Sequence, residues 1–119
     1  MDATSTKTLS STVIVLTTMP ADPAEGKIDA AALARTLVEE GLAACVNVLA
    51  PMKSVYRWKG SVQQDAECQL VIKTRAERLD ALSGRLSTLH PYEVPEFLVL
   101  PVGAGSASYL EWVRDSVTL

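Results

Sequence analysis

The sequence predicts an α+β fold: a ferredoxin-like β-α-β-β-α-β sandwich with an extra C-terminal helix and a long central hairpin. The first observation that predicts it is the alternation of β-branched runs with runs of apolar residues at helical spacing. The second is a pair of adjacent strand patterns joined by a short turn. The third is the length of 119 residues, 48% of them hydrophobic, which suits one core rather than two. Residues 1–10 are predicted to form a flexible tail and residues 11–119 a single domain.

The composition argues against several classes of protein. The chain has 11 basic and 14 acidic residues and a formal net charge of −3, so we expect no binding to nucleic acid or to membranes. It has no run of about 20 apolar residues, and its N-terminus is polar, which together predict a cytoplasmic protein. Its two cysteines, Cys45 and Cys68, are too few for a disulfide framework, and we expect both to be free thiols.

The first strand and the first helix follow from local residue types. Thr12–Thr18 is β-branched and apolar on both faces, as in a buried central strand. Met19–Lys27 contains two prolines and a glycine and is predicted to be a loop. Asp29 stands at the N-cap of a predicted helix, and Gly41 stands at its C′ position. The apolar face of that helix consists of Leu33, Ala34, Leu37 and Val38.

The central hairpin is longer than a compact domain of this size requires. Ala43–Trp58 is predicted to be a strand interrupted by Pro51, and Ser61–Lys73 is predicted to return after a Lys59-Gly60 turn. A strand of about 16 residues reaches ~50 Å, whereas a compact domain of this length is roughly 35 Å across. The hairpin must therefore bend at Pro51 or project from the domain. A projecting hairpin has open edges, which predicts a homo-oligomer held together by these strands. The hairpin residues on those edges include Val55, Tyr56 and Trp58.

The second half of the chain predicts two further helices and one strand. Thr74–Glu77 fits a capping box, and the helix after it ends at His90-Pro91, because a residue before proline avoids the helical region. Phe97–Leu100 is predicted to be a strand, and Ser106 is predicted to cap the final helix. The apolar faces of the two helices consist of Leu79, Leu82, Leu86 and Leu89, and of Leu110, Val113 and Val117.

His90 is the single histidine and the centre of the first candidate site. Glu93 and Glu96 follow it, and an imidazole close to two carboxylates suits a divalent metal or a proton shuttle. The alternative is structural: His90 can act as a cationic C-cap of the preceding helix. The residues by themselves leave both interpretations open.

The sequence contains no recognisable catalytic motif. Gly103–Ser108 follows a strand and opens a helix, but Ser108 stands where a dinucleotide fingerprint has its third glycine. No G-x-S-x-G nucleophile elbow is present, and both cysteines lie in apolar strands, where thiol reactivity falls. We therefore predict that the protein is not an enzyme. A polar and aromatic set on the hairpin is either a solvated face or the lining of a cleft between subunits, and it consists of Lys73, Glu67, Arg57, Tyr56 and Trp58.

Five ordered motifs resemble the CutA family of divalent cation tolerance proteins and together span about residues 12–116. They are Leu42–Val48 (LAACVNV), Ser54–Gly60 (SVYRWKG), Leu70–Thr74 (LVIKT), His90–Glu96 (HPYEVPE) and Tyr109–Trp112 (YLEW). The resemblance implies a ferredoxin-like fold, a compact homotrimer, and a role in tolerance of copper and other divalent metals. Family members proposed to bind copper have a cysteine in the first strand and a His-His-Pro sequence after the second helix. This chain has Thr17 and Leu89-His90-Pro91 at those positions.

Two functions are predicted from the resemblance and the residues together. The first is a trimeric, non-enzymatic protein of divalent metal (copper) tolerance that binds a divalent cation, Cu²⁺ or Zn²⁺. The residues predicted to hold the metal are His90, Glu93, Glu96, Cys45 and Glu67. The second is a signalling module like the PII proteins, which binds a small anionic ligand in a cleft between subunits. The residues predicted to line that cleft are Lys73, Tyr56 and Trp58.

Overall fold

The computed structural model describes residues 6–7 and 11–119 of the chain. The strands in that part of the chain are β1 (Thr6–Lys7), β2 (Thr12–Pro20), β3 (Cys45–Val48), β4 (Met52–Trp58), β5 (Ser61–Arg75), β6 (Leu98–Pro101) and β7 (Gly105–Ser106). The α-helices are α1 (Ala30–Glu39), α2 (Leu79–Leu89) and α3 (Ala107–Ser116), and a 3₁₀ turn, Ala76–Arg78, precedes α2. Most of the predicted tail over residues 1–10 lies outside the described residues.

The main sheet has the strand order β3-β5-β2-β6, and every pair in it is antiparallel. The second strand of the hairpin, β5, is long enough to pair with β3 near its C-terminal end and with β4 near its N-terminal end. β1 and β7 form a separate two-stranded sheet. This order, with helices after the first and third main strands, confirms the predicted ferredoxin-like fold.

One face of the main sheet carries the core. Along β2, Val13, Val15, Thr17 and Met19 are buried, while the residues between them are less so, as the period of two requires. The buried side chains pack with those of both α1 and α2, which therefore lie on the same face of the sheet. The helical members of this core are Ala30, Leu33, Leu37, Leu82 and Leu86.

The ends of α1 form as the sequence predicts. The Asp29 side chain accepts a hydrogen bond from the Ala32 backbone N–H at 2.7 Å, which satisfies one of the free donors of the first turn. Gly41 follows the C-terminus with a φ of 72°, a conformation that favours glycine. None of the helices described is long and apolar enough to cross a membrane.

The hairpin projects from the globular part of the chain. The chain extends 50 Å along its long axis but only 25 and 24 Å along the other two. Lys59 and Gly60 both have positive φ, 48° and 82°, which matches the type I′ turn that suits two-residue hairpins. Leu49–Pro51 separates β3 from β4, so the predicted long strand is two strands with a break at the proline.

The opposite face of the sheet is only partly covered. α3 packs near one end of it, where Val113 and Val117 meet Ala44 in a small second cluster. Beyond α3, the β6 side chains Leu98 and Leu100 remain 53% and 47% exposed. These leucines pair across the sheet with Leu16 and Ile14 of β2 and continue an apolar surface. We refer to this uncovered surface as the open sheet face. It consists of Ile14, Leu16, Val71, Leu98 and Leu100.

Several local predictions are wrong, and tertiary contacts explain them. The capping box does not form, because Thr74 is still part of β5 and its hydroxyl donates to the Leu42 backbone oxygen at 2.7 Å. Ser106 stands at the N-cap of α3 but makes no side-chain cap bond. The strands β2 and β5 extend two residues beyond their predicted ends, since each continues for as long as the other pairs with it.

Candidate functional site

A groove of about 730 Å³ runs along the projecting hairpin, from Met52 to Trp58 beside the turn. Alternate residues of β4 contribute one wall, and the segment 91–96 between α2 and β6 contributes another. β2 and β5 contribute the residues between them. We refer to it as the acidic groove, and its lining consists of Thr18, Met52, Ser54, Tyr56, Trp58, Glu67, Gln69, Pro91, Tyr92, Glu93, Val94, Pro95 and Glu96.

The strand period determines which hairpin side chains reach the groove. Tyr56 and Trp58 alternate with Lys53, Val55 and Arg57, so the two basic residues point to the other face of β4. None of the described residues that line the groove is lysine, arginine or histidine, whereas three are glutamates. The groove therefore has a negative lining with aromatic walls.

Glu67 and Tyr92 form the most buried polar contact of the groove. The Tyr92 hydroxyl donates to Glu67 Oε2 at 2.5 Å, and Glu67 is only 7% exposed. Burial, reinforced by this hydrogen bond and by the charge of Glu67, raises the pKa of Tyr92 far above its usual value. The phenol therefore stays protonated and acts as a permanent donor to the carboxylate.

His90 lies behind the groove and uses both ring nitrogens. Its Nδ1 accepts a hydrogen bond from the Tyr92 backbone N–H at 3.1 Å. Nε2 must then carry the proton, and it donates to the Thr18 backbone oxygen at 2.7 Å. Burial lowers the pKa of His90 below its usual value, although the bond to Thr18 and the charge of Glu67 act in the opposite direction. His90 thus ties the segment 91–96 to β2 as a neutral ring.

His90 occupies the position that the structural interpretation predicts. His90 stands at the C-cap of α2, and its backbone N–H donates to the Leu86 carbonyl. The predicted position is confirmed, but the predicted cationic character is wrong, because the ring is buried and its pKa is lowered. The ring bonds to β2 rather than to the carbonyls of the last helical turn.

Three further hydrogen bonds fix the lining. Gln69 Nε2 donates to Glu96 Oε2 at 3.0 Å and to the Thr17 backbone oxygen at 2.8 Å, so β5 holds the far end of the segment 91–96. Tyr56 donates its hydroxyl proton to Asp65 across the hairpin. That bond is the main reason why the pKa of Tyr56 is raised.

The structure brings some of the predicted site residues together and separates others. Glu67, Glu93 and Glu96 of the predicted metal set line the acidic groove, and so do Tyr56 and Trp58 of the predicted cleft set. Cys45 and Lys73 are register partners near the opposite end of β5 from the groove. The Lys73 ammonium lies 5.8 Å from the centre of the Tyr109 ring on α3.

The residues of one chain do not form a complete metal site. Among the residues described, no three histidine, cysteine, aspartate or glutamate side chains converge closely enough to hold an ion. His90 cannot contribute a ligand without losing the bond to Thr18 or to Tyr92. The glutamates fit a cation through their charge, but one chain offers only part of a coordination shell.

Sequence reasoning missed Tyr92 and Gln69, which together position two of the glutamates. Tyr92 lies in the His90–Glu96 motif, and its place between two prolines was the available signal. Gln69 had no such signal, because a lone glutamine in a strand looks like an ordinary solvent-facing residue.

Comparison with known proteins identifies a set of similar chains. The sequence profile of the CutA1 divalent ion tolerance protein family matches residues 13–116. The divalent-cation tolerance protein CutA of Thermus thermophilus is 42% identical over 103 residues, which cover 87% of this chain and 95% of that protein. The chloroplastic CutA 1 protein of Oryza sativa subsp. japonica is 45% identical over 112 residues, which cover 94% of this chain but only 60% of its own length.

Solved structures of similar proteins have the same fold. The structure of CutA from Synechococcus elongatus superposes with a TM-score of 0.84 at 40% identity and covers 96% of each chain. A PII-like protein CutA from Nostoc sp., in its apo form, superposes with a TM-score of 0.79 at 36% identity. That superposition covers 90% of this chain and 98% of the Nostoc chain.

Proposed function

Because the chain belongs to the CutA1 divalent ion tolerance family, we propose that it is a non-enzymatic, homotrimeric protein of divalent cation tolerance that binds Cu²⁺ or Zn²⁺. The proposed binding surface is the acidic groove. The observation that carries this proposal is its lining, in which three glutamates face the same space and no described lining residue is basic. Such a lining attracts cations and repels anions.

The groove glutamates differ in their readiness to bind an ion. Glu93 is exposed and Glu96 is half-buried with one bond from Gln69, so both can turn toward an ion at little cost. Glu67 is held by Tyr92 and contributes mainly through its charge. One chain offers too few ligands, and we propose that water or a second copy of the chain completes the shell.

Two exposed apolar surfaces support the proposed trimer. The open sheet face leaves Leu98 and Leu100 of the edge strand β6 in water, although a contiguous apolar patch on a protein surface usually marks an interface. The projecting hairpin leaves Val55 and Val62 61% and 64% exposed. Three copies that cover both surfaces remove this apolar area from water and protect the strand edges. We further propose that the assembled protein works in the cytoplasm.

Calorimetric titration of chelator-treated protein with Cu²⁺ and with Zn²⁺ tests the metal proposal. The variant Glu93→Gln/Glu96→Gln should weaken binding by about tenfold or more, or ~1.4 kcal/mol. Glu25→Gln removes an exposed acid outside the groove and should leave binding unchanged. Binding of equal strength in both variants, or no binding at all, refutes the groove as a metal site. Sedimentation velocity across a dilution series tests the trimer, and a stable monomer refutes it.

A second candidate function is a PII-like signalling module that binds a small anionic ligand between subunits. The observation that favours it is the fold shared with the PII-like Nostoc protein. Tyr56 and Trp58 line the groove, but the Lys73 of the same chain lies over Tyr109, so an anion would need a lysine from a neighbouring copy. A thermal shift with ATP that is lost in Lys73→Met supports this function. The absence of any shift with ATP or inorganic phosphate counts against it.

A further inference from the structure

We propose that the acidic groove binds a small organic cation, a protonated primary amine with a short apolar body. Such a ligand is separate from the divalent ion of the proposed tolerance function. Such a ligand needs enough room, an apolar and aromatic wall, and a carboxylate oxygen that is free to accept a hydrogen bond. The groove meets each of these requirements.

The volume of the groove suits a molecule rather than a bare ion. About 730 Å³ lies within the range of roughly 300–1,000 Å³ that is typical of small-molecule sites. A divalent ion needs several oxygen ligands within about 2.6 Å, and no described cluster of three acidic, histidine or cysteine side chains provides them. An organic ammonium ion has no such demand, because it spreads its contacts over a larger surface.

The walls of the groove favour a ligand with an apolar body and a positive charge. Tyr56, Trp58 and Tyr92 contribute aromatic rings, and a cation over such a ring gains about 0.5–2 kcal/mol. Lys59 already lies 5.7 Å from the centre of the Trp58 ring. Trp58 pairs with Ser61 beside the turn, whereas the Tyr56 hydroxyl reaches Asp65, two positions from Glu67. We therefore assign the ligand's apolar body to the region of Tyr56 and its ammonium group to the region of Tyr92.

Glu67 provides the specific acceptor. Its exposed fraction is only 7%. Of its two carboxylate oxygens, only Oε2 receives a hydrogen bond from a described residue, and the donor is the Tyr92 hydroxyl. A carboxylate accepts up to about four hydrogen bonds, so Oε1 keeps its capacity to accept further bonds at the groove surface. The N–H groups of a primary ammonium can bond to the remaining oxygen. The Tyr92 hydroxyl already donates to Oε2, so the remaining oxygen suits a ligand that donates hydrogen bonds rather than one that accepts them.

Three probes with the same four-carbon body test the proposal at pH 7: butylammonium, butan-1-ol and butyrate, with charges of +1, 0 and −1. Saturation-transfer NMR and calorimetry measure their binding to the full chain. We expect butylammonium to bind at least about tenfold more tightly than butan-1-ol, and butyrate not to bind. Equal binding of butylammonium and butan-1-ol, or no binding of butylammonium, overturns the proposal.

Variants locate the binding within the groove. Glu67→Gln keeps the shape of the side chain and should remove the preference for butylammonium over butan-1-ol. Tyr92→Phe frees the second carboxylate oxygen and serves as a test if Glu67→Gln does not fold; it should retain that preference while changing the affinity. Glu25→Gln is the matched control and should behave as the wild type. An unchanged preference in Glu67→Gln overturns the proposal.

The same titrations separate this proposal from the tolerance function. Binding of Cu²⁺ or Zn²⁺ without binding of butylammonium refutes the organic-cation site and leaves the metal proposal intact. Binding of butylammonium without metal binding supports the organic-cation site and refutes the metal proposal. Competition between the two places both in the acidic groove.

Discussion

Replacement of His90 by alanine tests whether this residue is structural. The variant loses the bond from Nε2 to the Thr18 carbonyl and the bond from the Tyr92 N–H to Nδ1. Each bond contributes about 1 kcal/mol net, and the loss of a buried ring adds about 1–2 kcal/mol. We expect the free energy of unfolding to fall by about 3 kcal/mol in total.

Urea unfolding at one fixed protein concentration, in the presence and in the absence of a chelator, measures this loss. With a slope of about 1.5–2 kcal/mol per M, the midpoint should fall by ~1.5–2 M. Two variants restore half of the arrangement. In His90→Asn the amide oxygen can accept from Tyr92, and in His90→Gln the amide nitrogen can donate to Thr18, so each should lose less than His90→Ala. A loss below about 0.5 kcal/mol in His90→Ala, or one that appears only when metal is present, refutes the structural role.

The same residue gives a pH dependence whose sign follows from its burial. The pKa of His90 is lowered in the folded state, so the unfolded chain binds more protons near the usual histidine pKa of about 6.5. The stability from the neutral ring is therefore present above about pH 6.5 and is lost as the pH falls toward the lowered value. Urea midpoints between pH 8 and pH 5 should fall in the wild type and fall less in His90→Asn; parallel curves contradict the reasoning.

Two further predictions concern buried hydroxyls and glycines with a positive φ. Thr17 Oγ1 is buried without a partner among the described residues, so Thr17→Val should stabilise the protein by about 1 kcal/mol. Thr74→Val removes the hydrogen bond to Leu42 and should destabilise the protein by about 1–2 kcal/mol. Urea unfolding that gives both changes the same sign contradicts this. Gly41→Ala places a Cβ 2.3 Å from Thr118 Oγ1 at a positive φ, and Gly60→Ala has the same kind of backbone but open space. We expect a loss of about 1–2 kcal/mol at Gly60 and a larger loss at Gly41; equal losses in thermal melts would show that Thr118 moves aside.

Much of the fold was predictable because it depends on local residue types. The β-branched residues of Thr12–Thr18, the Asp29 and Gly41 caps, and the Lys59-Gly60 turn each specify a local conformation whatever surrounds them. The hairpin length was predictable for another reason, since the count of residues sets its reach. By contrast, the capping box at Thr74 matched a local pattern but does not form. The Thr74 backbone pairs with β2 instead, and its hydroxyl bonds to the Leu42 carbonyl.

The candidate site, like the fold, was predictable only in part from the sequence. The sequence by itself determined the fold class, the family and three acidic residues of the groove, because these depend on residue types and their order along the chain. Only the tertiary structure decided that His90 is a neutral tie between β2 and the segment 91–96, and that Cys45 and Lys73 stay apart from the groove. The physical reason is that hydrogen-bond partners such as Thr18 and His90 are 72 positions apart in the chain. Contacts at that separation are fixed by strand register and packing, which no local pattern specifies.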